Sequence, residues 1–166
     1  MIELQVAKKW VNSGDQVLGR NREHQKGHGI VGQGSSAWAS KEFWSKFIPN
    51  EREYRVHIFD SEHIQQGLKC FDPKAKKIRT DDLPIRNTET GWTKFDHTFK
   101  PPDGAVRLAK RAVQECGYLW GAVDLLEDAS GKCYVLEVNT APGMDEITAR
   151  AYADAIKKHV HKAHGY

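Results

Sequence analysis

Polar and apolar residues alternate through Glu53-Tyr54-Arg55-Val56-His57-Ile58-Phe59, which predicts a strand with Tyr54, Val56 and Ile58 on one face and Glu53, Arg55 and His57 on the other. Asp60-Ser61 predicts a turn, and Ile64 to Phe71 an antiparallel partner. Nearer the C-terminus, Gly121-Ala122-Val123-Asp124-Leu125-Leu126 and Tyr134-Val135-Leu136-Glu137-Val138-Asn139 predict a hairpin joined through Asp128-Ala129-Ser130-Gly131. Helical spacing marks three other stretches. Residues 2–12 carry Ile2, Val6 and Trp10, with Leu4 and Val11. Pro101-Pro102-Asp103 opens a second helix with Ala105, Leu108, Ala109, Ala112, Val113 and Cys116 at helical spacing, stopped by Gly117. Met144 to about Lys162 forms the last, with Ile147, Ala151, Ala155 and Ile156 on one side.

Between these elements, Gln16 to Asn21 reads as a strand, residues 22–29 as a glycine-rich loop, and Ile30-Val31 as a return strand. A small-residue stretch, 32–40, leads to Phe43 through Ile48, closed by Pro49-Asn50. Residues 72–100 are polar, proline-bearing and without sustained periodicity, so they read as a long loop. Trp38, Trp44 and Trp92 are assigned to packing, and the tail with His159, His161 and His164 is expected to fray rather than bind metal.

Length then limits the picture: 166 residues suit a single domain, 1–166, with a real core. With 25 basic and 22 acidic residues the net charge is only +3, a solvated surface that neither demands nor excludes nucleic acid. The basic stretch Lys74-Ala75-Lys76-Lys77-Ile78-Arg79 reads as solvated loop, so no nucleic-acid partner is expected. No apolar run is long enough to cross a membrane and the N-terminal segment is not a signal peptide core, so a cytoplasmic protein is expected. Cys70, Cys116 and Cys133 are odd in number and outside C-x-x-C spacing, which indicates reduced thiols.

The chemistry concentrates in the C-terminal hairpin. Alternation points Glu137 and Asn139 the same way, and a two- or four-residue turn adds Asp124 to that face. Two carboxylates and an amide oxygen then converge, a donor set suited to magnesium, or manganese in its place, carried with a nucleotide. Each acid interrupts an apolar run, where an ionised group is costly unless something pairs it. In the glycine-rich loop, Gly27 and Gly29 allow close backbone approach to phosphates, with Lys26 inside the loop and Arg20 before it. On the polar strand face, Glu53 can accept from ribose hydroxyls and Arg55 can bind phosphate. Lys69 ends the partner strand, and Gly143 stands in a tight turn at a helix start, where an anion is favoured.

The order of these pieces resembles the ATP-grasp superfamily: Arg20, a glycine-rich loop, Lys46-Phe47-Ile48, Glu53-Tyr54-Arg55-Val56, Lys69, Asp124, and Leu136-Glu137-Val138-Asn139-Thr140-Ala141-Pro142-Gly143. The last stretch is similar to the metal-binding end of D-alanyl-D-alanine ligases and RimK-type glutamate ligases. With Glu53-Tyr54-Arg55-Val56-His57 it looks most like the short ATP-grasp proteins of tailed bacteriophages, which implies a host cytoplasmic location. The resemblance runs from about residue 15 to 160 and implies an α+β ATP-grasp fold, an antiparallel β-sheet with helices packed on one face.

By that likeness Lys46, Phe47 and Ile48 line the adenine and Glu53 holds the ribose. Arg20, Gly27, Gly29 and Lys69 contact phosphates, and Asp124, Glu137 and Asn139 hold Mg2+. Arg55 steadies the transferring phosphoryl group. The implied activity joins a carboxylate to an amine through an acylphosphate, at the expense of ATP, by positioning and charge neutralisation. The chain departs from the family pattern in having one helix before Arg20 where relatives carry a substrate-binding domain. Ala122 stands where many relatives have an arginine, and Arg20 where several have a lysine. Three readings follow: the C-terminal part of a longer ligase, a site completed by a second chain, or a reduced, non-catalytic nucleotide-binding or assembly module.

Overall fold

The computed structural model describes residues 3–22, 29–75, 86 and 90–165. Lys26, Gly27 and most of the basic stretch 74–79 lie outside the described residues. The chain divides into two compact units, one comprising 1–49 and 71–93, the other 50–70 and 94–166. No helix among the described residues is long and apolar enough to cross a membrane.

The first unit contains helix α1 (Leu4–Asn12) and strands β1 (Val17–Arg20), β2 (Val31–Gly32) and β3 (Phe43–Lys46). The strands form an antiparallel sheet in the order β2-β1-β3. The expected strand and return strand are therefore present, as β1 and β2, while residues 23–28 of the expected glycine-rich loop lie outside the described residues. The buried face of α1 differs from the expected one: Ala7 is fully buried, with Leu4, Trp10 and Val11 packed beside it, while Val6 is exposed. The stripe runs through positions 4, 7 and 10–11, so the small side chain of Ala7 lets the helix approach Val17, Trp38 and Trp44 closely. Trp38 and Trp44 do pack in the core, edge to face at 6.0 Å, and the Trp44 indole N–H donates to the Trp38 carbonyl at 3.1 Å. Gly19 makes room for them, since a Cβ there would sit 2.8 Å from Lys41 and 3.2 Å from Trp38.

The five-stranded sheet has the order β6-β5-β4-β7-β8, built from β4 (Arg52–Phe59), β5 (Glu62–Phe71), β6 (Trp92–Asp96), β7 (Trp120–Glu127) and β8 (Cys133–Asn139). β4 and β5 are joined as expected through Asp60 and Ser61, both at positive φ (48° and 64°) and with Phe59 opposite Glu62. Two successive left-handed residues match the twist of a two-residue hairpin. One strand was missed: β6 lies in the stretch expected to be a loop. It is only five residues long, Trp92-Thr93-Lys94-Phe95-Asp96, and its two apolar residues are three apart, so no period-two alternation marks it among polar neighbours.

Alternation on β4 sorts the sheet into two faces. Tyr54, Val56, Ile58, Val123 and Leu125 point to the apolar side, where helix α2 (Asp103–Glu115) covers them with Ala105, Ala109 and Val113. Fully burying each such side chain stabilises by about 1.5–3 kcal/mol, which makes this layer the main adhesive of the second unit. Cys116, expected on that stripe, is instead the exposed C-cap of α2, followed by Gly117 at φ 69°. Helix α3 (Glu146–His164) starts two residues later than expected, because the Asp145 carboxylate caps it by accepting from the Thr148 N–H. It meets the polar side of the sheet through Tyr152, which lies edge-on to His57 and Trp120. The histidine-bearing end does not fray: the helix continues to His164, and His159 bonds Asp60 at 2.9 Å and packs against Phe59.

Candidate functional site

The ladder aligns the polar row of β4 with the hairpin acids. Arg55 lies opposite Asp124 on β7 and Gly67 on β5, His57 opposite Ala122 and Gln65, and Asp124 in turn opposite Glu137 on β8. Asn139 pairs with Ala122, one alternation further along the same face. Asp124, Glu137 and Asn139 therefore share a face with Arg55, Glu53 and His57.

The hairpin reaches that register by an unexpected route. Its connection spans residues 128–132 rather than two or four residues, held by Asp128, which accepts from Ser130 N, Ser130 Oγ and Lys132 N, with Gly131 at φ 81°. An odd-length connection pairs residues of equal parity, and the ladder does begin as Glu127 opposite Cys133 and Leu125 opposite Val135. Continued without interruption it would set Asp124 against Leu136 and turn Glu137 and Asn139 to the other face. A bulge between Asp124 and Leu125 takes up Leu136 and restores Glu137 opposite Asp124. Bulges of this kind re-aim side chains near sites.

Two ion pairs lie on this face, Arg55 with Asp124 and Lys69 with Glu53. Arg55 Nε and Nη2 donate to the two oxygens of Asp124 at 2.7 and 2.8 Å, a bidentate fork with both side chains about one-fifth exposed. Burial works against the Arg55 charge, but the bonds to Asp124 and the carboxylates of Asp124 and Glu137 outweigh it and hold its pKa above the ordinary value. The guanidinium also lies 5.1 Å from the centroid of the Phe95 ring. Gly67 makes that placement possible, because a Cβ there would come within 2.9 Å of Phe95. Lys69 pairs with the buried Glu53 at 3.0 Å, and the Asn50 amide donates to the other Glu53 oxygen at 3.1 Å. His57 is buried, bonded through Nδ1 to the Tyr152 hydroxyl at 3.2 Å, and pushed down to about 4 by burial and by the Arg55 charge. Burial pushes Tyr152 up to about 12, so both groups are neutral near pH 7.

A second polar cluster, absent from the sequence reading, borders this row. His97 Nδ1 is 2.9 Å from the Gln66 carbonyl and 2.7 Å from the Gln65 amide nitrogen, while Nε2 bonds the Asp145 carboxylate. Burial alone would lower the His97 pKa; the bonds to Gln66 and Asp145 raise it on balance. Asp145 is pushed down to about 2, chiefly by the Thr148 N–H. The signal for Phe95 and His97 was the two-residue spacing in Phe95-Asp96-His97, hidden because β6 was read as loop.

Of the other expected residues, Arg20, Gly29, Lys46, Phe47 and Ile48 belong to the first unit. There Lys46 pairs with Asp15 at 2.6 Å and lies over the Trp10 ring at 5.3 Å, while Gly29 adopts φ 74°. In the second unit Gly143 is exposed and three residues ahead of α3, whose N-terminus is occupied by Asp145. Among the described residues no group of three or more His, Cys, Asp and Glu side chains is placed to hold a metal. The expected set has only two such groups, its third donor being the Asn139 amide, whose Oδ1 accepts from Ala141 N at 2.8 Å and retains a second lone pair. Two carboxylates and an amide oxygen on one face fit a hard cation that takes its remaining ligands from phosphate and water.

The fold is that of the ATP-grasp ligases. The chain is similar to D-alanine–D-alanine ligase from Bacillus anthracis (TM-score 0.61, 16% identity, 95% of this chain and 59% of that one). It is similar too to D-alanyl-alanine synthetase A from Vibrio cholerae (TM-score 0.62, 11% identity, 93% and 55%) and to the ATP-grasp ligase PsnB, solved with a minimal precursor, Mg and ADP (TM-score 0.61, 12% identity, 93% and 50%). In sequence it is homologous over part of its length to D-alanine–D-alanine ligases: 30% identical over 103 residues to that of Laribacter hongkongensis, covering 55% of this chain and 30% of the ligase. To that of Burkholderia multivorans it is 54% identical over 41 residues, 24% of this chain and 13% of the ligase. The chain thus matches about half the length of the solved ligases and less than a third of these curated relatives. No protein-family model matches it.

Proposed function

We propose that this chain is the nucleotide- and metal-binding part of an ATP-dependent carboxylate–amine ligase. The observation that carries this reading is the bulge-set alignment of Asp124 and Glu137 opposite one another, with Asn139 on the same face and Arg55 beside them, in an ATP-grasp fold. In it Asp124, Glu137 and Asn139 hold Mg2+, or Mn2+ in its place. That ion, when bound, would neutralise phosphate charge during phosphoryl transfer. Arg55 orients and stabilises the transferring group, Glu53 accepts from the ribose, and Lys69 reaches phosphate. In the first unit, Lys46, Phe47 and Ile48 serve the adenine, and Arg20 with Gly27, Gly29 and Lys26 serves the phosphates. Gly143 leaves the backbone open to an anionic substrate group.

Little covalent chemistry falls to the protein in such a reaction, so fixed charges matter more than a nucleophile. The carboxylate and amine substrates would be recognised by a further domain or by a second chain. A cytoplasmic location, within a host cell if the chain is phage-encoded, matches the ATP requirement. ADP release that depends on both a carboxylate and an amine tests the catalytic reading.

A second reading has its own support. Glu53 with Lys69, and Arg55 with Asp124, are already matched as ion pairs. A reduced module could retain that paired row for binding or assembly alone. Magnesium-dependent nucleotide binding without substrate-dependent ADP release would select it.

A further inference from the structure

The face proposed to take a divalent cation already holds a positive charge. Arg55 donates to both Asp124 oxygens at 2.7 and 2.8 Å, and Glu137 stands directly across the ladder from Asp124. Behind the guanidinium lies the Phe95 ring at 5.1 Å. Gly67, the β5 partner of Arg55, places no side chain in the way.

We propose that Arg55 is a resident counter-ion of the Asp124–Glu137 pair, and that a divalent cation enters this position only together with nucleotide phosphates, as Arg55 leaves Asp124 to pair with them. The inference rests on the nucleotide- and metal-binding reading and adds an order of events to it. Its physical basis is charge. The two carboxylates and Arg55 together carry one net negative charge; a divalent cation alone would turn that into one net positive charge. Arg55 and Asp124 are each about one-fifth exposed, so an excess charge beside them is only partly screened, while Glu137 is open to solvent at the edge of the site. A nucleotide brings several negative charges and offers the guanidinium a second oxygen fork of matching geometry. Phe95 gives the guanidinium an aromatic surface to move along without losing all of its contact.

Two consequences separate this arrangement from an ordinary carboxylate site. Metal alone binds weakly to the wild-type chain, and removing the Arg55 charge strengthens it. The test measures free Mn2+ by electron paramagnetic resonance, without nucleotide, for the wild type, Arg55→Met, and Arg55→Met combined with Asp124→Asn. The expected result is at least tenfold tighter Mn2+ binding in Arg55→Met, lost again in the double variant. Equal or weaker binding in Arg55→Met overturns the proposal. If the wild type nevertheless binds Mg2+ with a non-hydrolysable ATP analogue, the nucleotide reading survives that result. No binding of metal or analogue by any variant overturns both.

Because Arg55→Met removes a half-buried ion pair, a measurement on the wild type stands beside it. The Arg55 Nε–H resonance, bonded to Asp124 in the chain alone, is expected to shift when Mg2+ and the analogue are added, as its acceptor changes from carboxylate to phosphate. An Arg55 signal that stays unchanged while other site resonances move also overturns the proposal.

Discussion

The Arg55–Asp124 pair and the Arg150–Glu146 pair join the same two chemical groups, and the second is the shorter, 2.6 Å against 2.7 Å. Distance alone would rank them as equals. Exposure separates them: the side chains are 20% and 19% exposed in the first pair and 77% and 79% in the second. Arg150–Glu146 is an i,i+4 pair on a helix surface, where solvent screening and side-chain entropy leave about 0.3–0.5 kcal/mol. Arg55–Asp124 is bidentate, mostly removed from water and backed by Phe95, so its coupling should be about 1.5–3 kcal/mol. Double-mutant cycles to alanine at both pairs, read by urea unfolding at pH 8 where His57 is neutral, measure the two couplings directly. Asp124→Ala alone should be about as damaging as the double variant, because it leaves the Arg55 charge without its fork. Additive single-variant effects at Arg55 and Asp124, within about 0.5 kcal/mol, would refute the claim that this pair organises the polar face.

The other predictions concern packing and protonation. Leu125→Ala should cost about 2–5 kcal/mol, since Leu125 is fully buried, while Leu136→Ala at the exposed bulge should cost well under 1 kcal/mol; equal losses in urea unfolding would contradict the register. Gly67→Ala should destabilise by about 1–3 kcal/mol, because its Cβ would approach the Phe95 Cβ at 2.9 Å, and a Phe95→Ala background, which keeps that atom, should relieve little of the loss; an unchanged urea midpoint in Gly67→Ala would contradict the close approach. His57 has a folded pKa of about 4, below its unfolded value, so the unfolded chain binds more protons between about pH 4 and 6.5. Stability should fall across that window as pH drops, and His57→Gln should flatten the slope in pH-dependent unfolding. His97, whose pKa is raised, acts oppositely: its contribution is complete below its unfolded pKa and is lost as pH rises through its folded pKa, a loss absent in His97→Gln.

Much of the polar face was legible because strand alternation is strict. Glu53, Arg55 and His57 could be placed together from period two alone, and the hairpin acids from the same rule. The route to their alignment was not legible: the 128–132 connection and the Leu136 bulge each shift the parity by one, and the two shifts cancel. The expectation of a shared face held although the turn length was misjudged. Phe95, His97 and Tyr152 escaped notice for a different reason. Their positions depend on which strand and helix pack beside β4, a tertiary fact that short windows of sequence do not carry. The α1 stripe was misjudged at Val6 because hydrophobicity drew attention away from Ala7, whose value lies in its small size.

The nucleotide and metal site is tested most directly by calorimetric titration of the chain with a non-hydrolysable ATP analogue, with and without Mg2+, beside Asp124→Asn. The expected result is binding that requires Mg2+ and is lost in Asp124→Asn. Binding unchanged by Mg2+ or by that substitution would contradict the metal assignment, and no binding at all would contradict the nucleotide site.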